Sequence, residues 1–118
     1  LIVYDNLEER HFIEWGAETY PDPSRVFGFA CRRDDDLVAI GCCWVDDDNR
    51  WWASFGGREG FPHGIHRKSL DLFAALRSAN VKEVWAQLDR TIPRAREWLK
   101  RLGFQPADPA ETEWVLVP

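Results

Sequence analysis

The run Leu37-Val38-Ala39-Ile40-Gly41-Cys42-Cys43-Trp44-Val45 is apolar throughout, with glycine its one gap, and aspartates fence it on both sides, Asp34 to Asp36 before and Asp46 to Asp48 after. A short stretch of this kind, closed by polar turns, is expected to be a strand buried on both faces. Such a strand forces the remaining elements into layers above and below a sheet. Aspartate tolerates the left-handed backbone of tight turns, so the two acidic clusters read as hairpin turns. Val26 to Cys31, ending at Arg32-Arg33-Asp34-Asp35-Asp36, supplies a strand on one side, and Trp51 to Phe55 supplies one on the other. The three form an antiparallel meander.

Around this meander the periodicity changes to helical. Asn6, followed by Leu7-Glu8-Glu9, has the form of a capped helix start, and Phe12, Trp15 and Tyr20 give an apolar face, so a helix is expected over 7–19, ended by Pro21 and Pro23. After the third meander strand comes the glycine-rich segment Gly56-Gly57-Arg58-Glu59-Gly60-Phe61-Pro62-His63-Gly64, then a helix with Ile65, Leu72, Phe73 and Leu76 on one stripe. Val81 to Leu88 reads as a strand with Val84, Ala86 and Leu88 on one side. Thr91 is placed to cap a further helix carrying Ala95, Trp98, Leu99 and Leu102 at i, i+3, i+4, i+7, with Gly103 as its left-handed stop. Trp114 to Val117 is the last strand. With a strand ahead of the first helix, the order is β-α-β-β-β-α-β-α-β. This is an α/β (α+β) chain with a mixed, mostly antiparallel sheet flanked by helices, in which the crossover through 64–80 joins parallel neighbours. The 118 residues, with seven tryptophans, are expected to form one domain, 1–118.

That order resembles the GNAT superfamily of acyl-CoA-dependent N-acetyltransferases. Ala95-Arg96-Glu97-Trp98-Leu99-Lys100-Arg101-Leu102-Gly103-Phe104 is similar to the family's closing helix, which ends in Gly-Phe. The Trp98-Leu99-Lys100 run and the short N-terminal half also resemble GNAT-like proteins of tailed bacteriophages. The resemblance implies that the fourth strand splays from the fifth to admit the pantetheine arm of acetyl-CoA, the cosubstrate, while amides at the next helix start receive the pyrophosphate. Helix N–H groups and the positive dipole end favour an anion there. Phe55, Gly56, Gly57, Arg58, Gly60, Gly64, Ile65, His66 and Arg67 are the cofactor-binding residues so implied, with His63 and Lys68 adding charge. The family's loop has Arg or Gln, two residues, Gly, one residue, then Gly or Ala; Arg58, Gly60 and Gly64 depart from that spacing. Aligned on Ala95, the family's Asn and Tyr positions hold Ile92 and Leu99, which removes the usual general acid for the CoA thiolate. Direct transfer needs a base and an oxyanion donor. The strand Trp51 to Phe55 carries no carboxylate, which leaves Glu59, Asp89 or a water chain past Ser54 and Gln87 for the base, and the amide of Phe55 or Gly56 for the oxyanion.

The first reading is therefore acetyl transfer from acetyl-CoA to an unidentified amine or protein acceptor. The second, motivated by Ile92 and Leu99, is a GNAT-shaped binding or structural module without turnover, such as a phage virion or host-interaction protein. Trp44, Trp51, Trp52 and Trp85 are read either as core or as an acceptor pocket.

Other classes are disfavoured. The net charge of −5 speaks against a nucleic-acid coat, and its acids are too dispersed for a DNA mimic. No apolar run reaches the ~18 residues of a spanning helix, and Leu1-Ile2-Val3-Tyr4 lacks signal-peptide features, so a soluble, cytoplasmic protein (host cytoplasm or virion if phage-encoded) is expected. The absence of methionine implies that the native start lies upstream. Cys31, Cys42 and Cys43 are expected to be core thiols in a reducing compartment. His63 and His66 lack partners for a metal, and neither aspartate cluster has calcium-loop spacing, so no metal is expected. Pairing through sheet edges, as in many relatives, makes a homodimer the expected assembly if there is one.

Overall fold

The computed structural model describes residues 1–58 and 62–118. Its elements are β1 (Ile2–Asn6), α1 (Glu9–Trp15), a 3₁₀ turn (Pro23–Arg25), β2 (Val26–Arg33), β3 (Asp36–Val45), β4 (Trp51–Gly57), α2 (Gly64–Ser78), β5 (Val84–Gln87), α3 (Ala95–Leu102), β6 (Gln105–Pro106) and β7 (Glu113–Leu116). All strands join one sheet in the order β1-β2-β3-β4-β5-β7-β6. Every pairing is antiparallel except β4 with β5, the neighbours joined through α2. β3 lies among the inner strands with a nearly continuous run of buried residues, as its composition requires. The β2–β3 hairpin turns on Asp34 and Asp35, both at positive φ (48° and 74°), a two-residue turn whose twist suits a hairpin.

Each face of the sheet takes its own helices. Cys43, Ala53, Val84 and Ala86 pack with Leu72, Phe73 and Leu76 of α2 and Leu99 and Leu102 of α3. On the opposite face Ala30, Ile40 and Cys42 pack with Leu7 and Phe12, beneath Trp15, Tyr20 and Trp44. Cys42 and Cys43 thus serve opposite layers. Gly41 sits between Phe29 and Phe55 in register. A Cβ there would lie 2.5 Å from the Phe29 ring and 2.9 Å from that of Phe55, so the two rings close over the space a side chain would fill.

Several boundaries differ from the sequence expectations. Asn6 is the last residue of β1, paired with Phe29, and does not cap a helix. α1 ends at Trp15, well short of 19, because Gly16 takes the left-handed conformation (φ 87°) and closes the helix through its own N–H to Ile13 O. Thr91 does not cap α3. Its N–H and hydroxyl both donate to the Asp89 carboxylate, and the helix starts four residues later, after Arg94 at φ 63°. β4 runs on through Gly56 and Gly57, β5 is limited to Val84–Gln87, and the two-residue β6 was not anticipated.

The acidic turn after β3 is organised by Asp46, whose carboxylate accepts the N–H groups of Asp48 and Arg50 and the Trp52 indole N–H at 2.9 Å. The Arg50 guanidinium lies 4.5 Å from the Trp85 ring centroid and 5.8 Å from that of Trp52. In α1 the fully buried His11 accepts the Glu8 N–H at Nδ1, so the neutral ring carries its proton on Nε2, which has no partner.

Two outcomes follow. Gly41→Ala is expected to destabilise the fold by about 1–3 kcal/mol through overpacking, read as a lower denaturant midpoint at unchanged slope. Burial, aided by Arg10 and Arg32, holds the His11 pKa below its ordinary 6.5. Between the lowered folded value and 6.5 the unfolded chain binds the extra proton, so stability falls as pH drops below about 6.5. His11→Gln keeps an acceptor for the Glu8 N–H, and melting curves between pH 7.5 and 5 should show a shallower acid slope than wild type.

Candidate functional site

β4 and β5 pair only at Trp51↔Val84 and Trp52↔Trp85. Beyond that point Ala53–Gly57 keeps β3 as its neighbour and has no β5 partner, while Ala86 and Gln87 of β5 pair with β7 alone. The sheet therefore opens a gap at its one parallel junction, bounded by the β4 main chain on one side. Phe55 occupies there part of the space that Gly41 leaves open. Its ring meets Phe73 of α2 at 6.0 Å and Trp98 of α3 at 5.0 Å, both edge-on. The Phe55–Trp98 pair crosses the gap on the helix side.

α2 follows the glycine-rich segment and begins at Gly64. Its first turn is partly closed on itself, with Ile65 N–H donating to Pro62 O and His66 N–H to His63 O, each at 3.2 Å. The side chain of its N-cap, His63, makes no capping hydrogen bond among the described residues. Gly64 sits at a close approach: a Cβ there would lie 2.6 Å from the Tyr4 hydroxyl. Ile65 is buried in the core, and the Nδ1 of His66 is buried with no partner among the described residues.

The basic residues are distributed differently from a ring around this helix start. Arg58 turns to the opposite face, where its guanidinium donates to Trp15 O at 2.8 Å and Leu37 O at 3.3 Å and lies 4.0 Å from the Trp15 ring centroid. Arg67 pairs with Asp71 at 3.1 Å on the exposed side of α2, a weak contact in solvent. The Lys68 ammonium sits 4.9 Å from the Tyr4 ring centroid. Phe55, Gly56 and Gly57 lie on β4 and Gly64, Ile65, His66 and Arg67 on the first turn of α2, so these residues border the open junction and the helix start. Gly60 and Glu59 lie outside the described residues.

On the α1 face, against the same stretch of β4, is a groove of about 500 Å³. Its walls include Phe12, Trp15 and Tyr20 on one side and Cys42, Trp44 and Ser54 on the other. Phe12 and Tyr20 stack with centroids 5.1 Å apart and planes 4° from parallel. A Cβ on Gly56 would lie 3.0 Å from the Trp15 indole, so a glycine here lets that ring lie on the strand. The exposed Ser54 opens onto this groove. Asp89 stands on the turn before α3, and the Thr91 hydrogen bonds hold its carboxyl below the ordinary range. Of the four tryptophans read as core or pocket, Trp44 lines the groove. Trp51 packs against Phe27 and the α2–α3 layer, and Trp52 and Trp85 flank Arg50. Periodicity alone assigns Phe12 and Trp15 to a helix face; their density on so short a helix, ahead of Gly16, is the sequence signal for the groove.

Burial pushes the Cys42 thiol up to about 12 and raises those of Cys31 and Cys43 as well, so none is a ready thiolate at neutral pH. The folded protein is expected to consume almost no aromatic disulfide reagent at pH 7.5, and to titrate all three free cysteines once unfolded. Among the described residues no three His, Cys, Asp or Glu side chains form a metal-sized cluster, and no helix is long and apolar enough to cross a membrane.

No protein-family model and no curated protein matches the chain. Solved structures do. An acetyltransferase of the GNAT family from Staphylococcus aureus superposes with a TM-score of 0.74 at 10% identity, covering 99% of both chains. The ribosomal-protein-S18-alanine N-acetyltransferase of Escherichia coli gives 0.69 at 15% identity, covering 99% of this chain and 94% of its own. A Bacillus subtilis acetyltransferase in complex with CoA gives 0.67 at 9% identity, covering 100% and 99%. At these identities the likeness establishes architecture: over essentially its whole length, this chain has the fold of the GNAT acetyltransferases.

Proposed function

We propose that the protein is a one-domain N-acetyltransferase that binds acetyl-CoA along the open β4–β5 junction and passes the acetyl group to an amine held on the α1 face. The observation that carries this reading is the loss of β5 pairing after Trp52, which frees the edge of β4 beside the start of α2. A pantetheine arm is amide-rich and can pair with a free strand edge as a further strand would. The pyrophosphate would meet the helix N-terminus, with Lys68 and Arg67 close by. The B. subtilis neighbour described with CoA supports the same assignment of cosubstrate.

In this reading the amine nitrogen attacks the thioester carbonyl, a carbon–nitrogen bond forms as the carbon–sulfur bond breaks, and the nitrogen's proton ends on the CoA sulfur. The β4 amides of Phe55 or Gly56 would steady the developing oxyanion. Ser54, Asp89 and Glu59 are the side chains proposed for proton transfer. Asp89, held as a carboxylate by Thr91, is a weak base for that task. With Leu99 where the family has a tyrosine, the thiolate would be protonated by water, which slows the reaction without preventing it.

A second reading has a specific observation in its favour. The Phe55–Trp98 contact spans the junction on the helix side, and a protein that kept this pair closed would be a GNAT-shaped binding module without turnover. Calorimetric titration with acetyl-CoA separates the two. Binding by the wild type, with Trp98→Ala no better than unchanged, supports the transferase. Binding that appears only in Trp98→Ala, or strengthens there at least tenfold, supports the closed module. No heat from either protein would remove the cosubstrate from both readings.

A further inference from the structure

The α1-side groove carries a statement about the acceptor, one that rests on the acetyl-transfer reading. Its walls are rings, Phe12, Trp15, Tyr20 and Trp44, with Ser54 and Cys42 at the strand side. No carboxylate is among the lining residues described, and the Cys42 thiol is neutral. Two charges stand next to lining rings: the Arg58 guanidinium, 4.0 Å from the Trp15 ring centroid and anchored to the carbonyl of Trp15 at 2.8 Å, and the Glu9 carboxylate, which accepts the Tyr20 hydroxyl at 3.1 Å.

This combination discriminates between kinds of amine. An alkylammonium would enter an apolar groove whose neighbouring carboxylate, Glu9, is already engaged by the Tyr20 hydroxyl, and would stand beside a fixed cation, at a cost in desolvation and like-charge repulsion. Part of the aromatic surface that could offset this is already engaged. Phe12 and Tyr20 stack on each other, and Trp15 already carries Arg58. An alkyl amine with a pKa of about 10.4 is neutral in only about one molecule in 2,500 at pH 7. Aromatic amines, whose nitrogen lone pair is delocalised into the ring, are weak bases and already neutral at that pH, and they present a flat apolar body of the kind that packs between aromatic side chains. Such a nucleophile also needs no general base to begin its attack.

The geometry points to a weakly basic aromatic amine as the acceptor class, bound neutral between the α1 rings and β4. Its lone pair attacks the acetyl-CoA carbonyl, the carbon–sulfur bond breaks, and the nitrogen's surplus proton passes to the departing sulfur, giving an anilide and free CoA.

The test compares 4-methoxyaniline with benzylamine, a similar ring whose nitrogen is protonated at pH 7. Ligand-observed NMR on the protein without cosubstrate should show 4-methoxyaniline binding at least tenfold tighter than benzylamine at pH 7. Benzylamine binding should tighten about tenfold between pH 7 and 8 as its neutral fraction grows. Ser54→Phe fills the groove at an exposed position and should abolish both, with an unchanged melting temperature as the control for folding. Arg58→Met, which removes the cation, should narrow the gap between the two ligands. Absence of 4-methoxyaniline binding, benzylamine binding equally well at pH 7, or insensitivity to Ser54→Phe overturns the inference. Thiol release from acetyl-CoA then separates it from the transfer reading. An arylamine that binds but is not acetylated leaves the acceptor class standing and removes transfer. Faster acetylation of a lysine side chain than of the anilines at pH 7 removes the acceptor class and leaves transfer.

Discussion

The architecture turns on a line of aromatic contact that begins at a missing side chain. Because residue 41 is glycine, the rings of Phe29 and Phe55 both reach into the space a side chain there would fill, on the most buried strand of the sheet. Phe55 then reaches Phe73 of α2 and Trp98 of α3, and Phe73 meets Phe104 just after α3 at 5.5 Å. This series ties the meander to both helices at the point where β4 and β5 part. A sheet that abandons pairing in its interior leaves main-chain groups and apolar side chains to be covered from elsewhere. The rings supply the apolar cover on the helix side, and the groove side keeps its exposed serine. The opening is thus asymmetric, closed by packing on one face and accessible on the other.

What the sequence disclosed followed from how local each signal was. Leu37 to Val45 announced β3 because burial on both faces leaves no polar position to hide the pattern, and the acidic turns marked its ends. The stripe of Ala95, Trp98, Leu99 and Leu102 identified α3, and Gly103, at φ 101°, stops it as read. Boundaries failed where one residue outweighed a pattern. Gly16 stops α1 although Tyr20 prolongs the apolar spacing, and Asp89 captures Thr91 before it can cap a helix. β6 is two residues long and has no period to detect.

The site was legible in outline and not in its pairings. That Phe55 to Gly57 and Gly64 to Arg67 border a junction between strand and helix follows from chain order. That Trp98 meets Phe55 does not, since periodicity names a face and never a partner. Arg58 looked like a phosphate ligand from its place in a glycine-rich run. A strand that continues two residues past Phe55 carries it to the other layer, where the α1 carbonyl end and the Trp15 ring receive it. The α1-side groove was hidden from the sequence for a related reason, because its walls come from a helix and strands distant in sequence.

The stacking of Arg50 on Trp85 and Trp52 carries a consequence for handling the protein. Those half-buried indoles lie on the sheet face that carries the short helix α1, and the guanidinium lies against both of them. A flat cation lying on two indoles lets water meet charge where it would otherwise meet hydrocarbon. Anions that compete for that guanidinium would lay the aromatic plate bare and invite self-association without disturbing the fold.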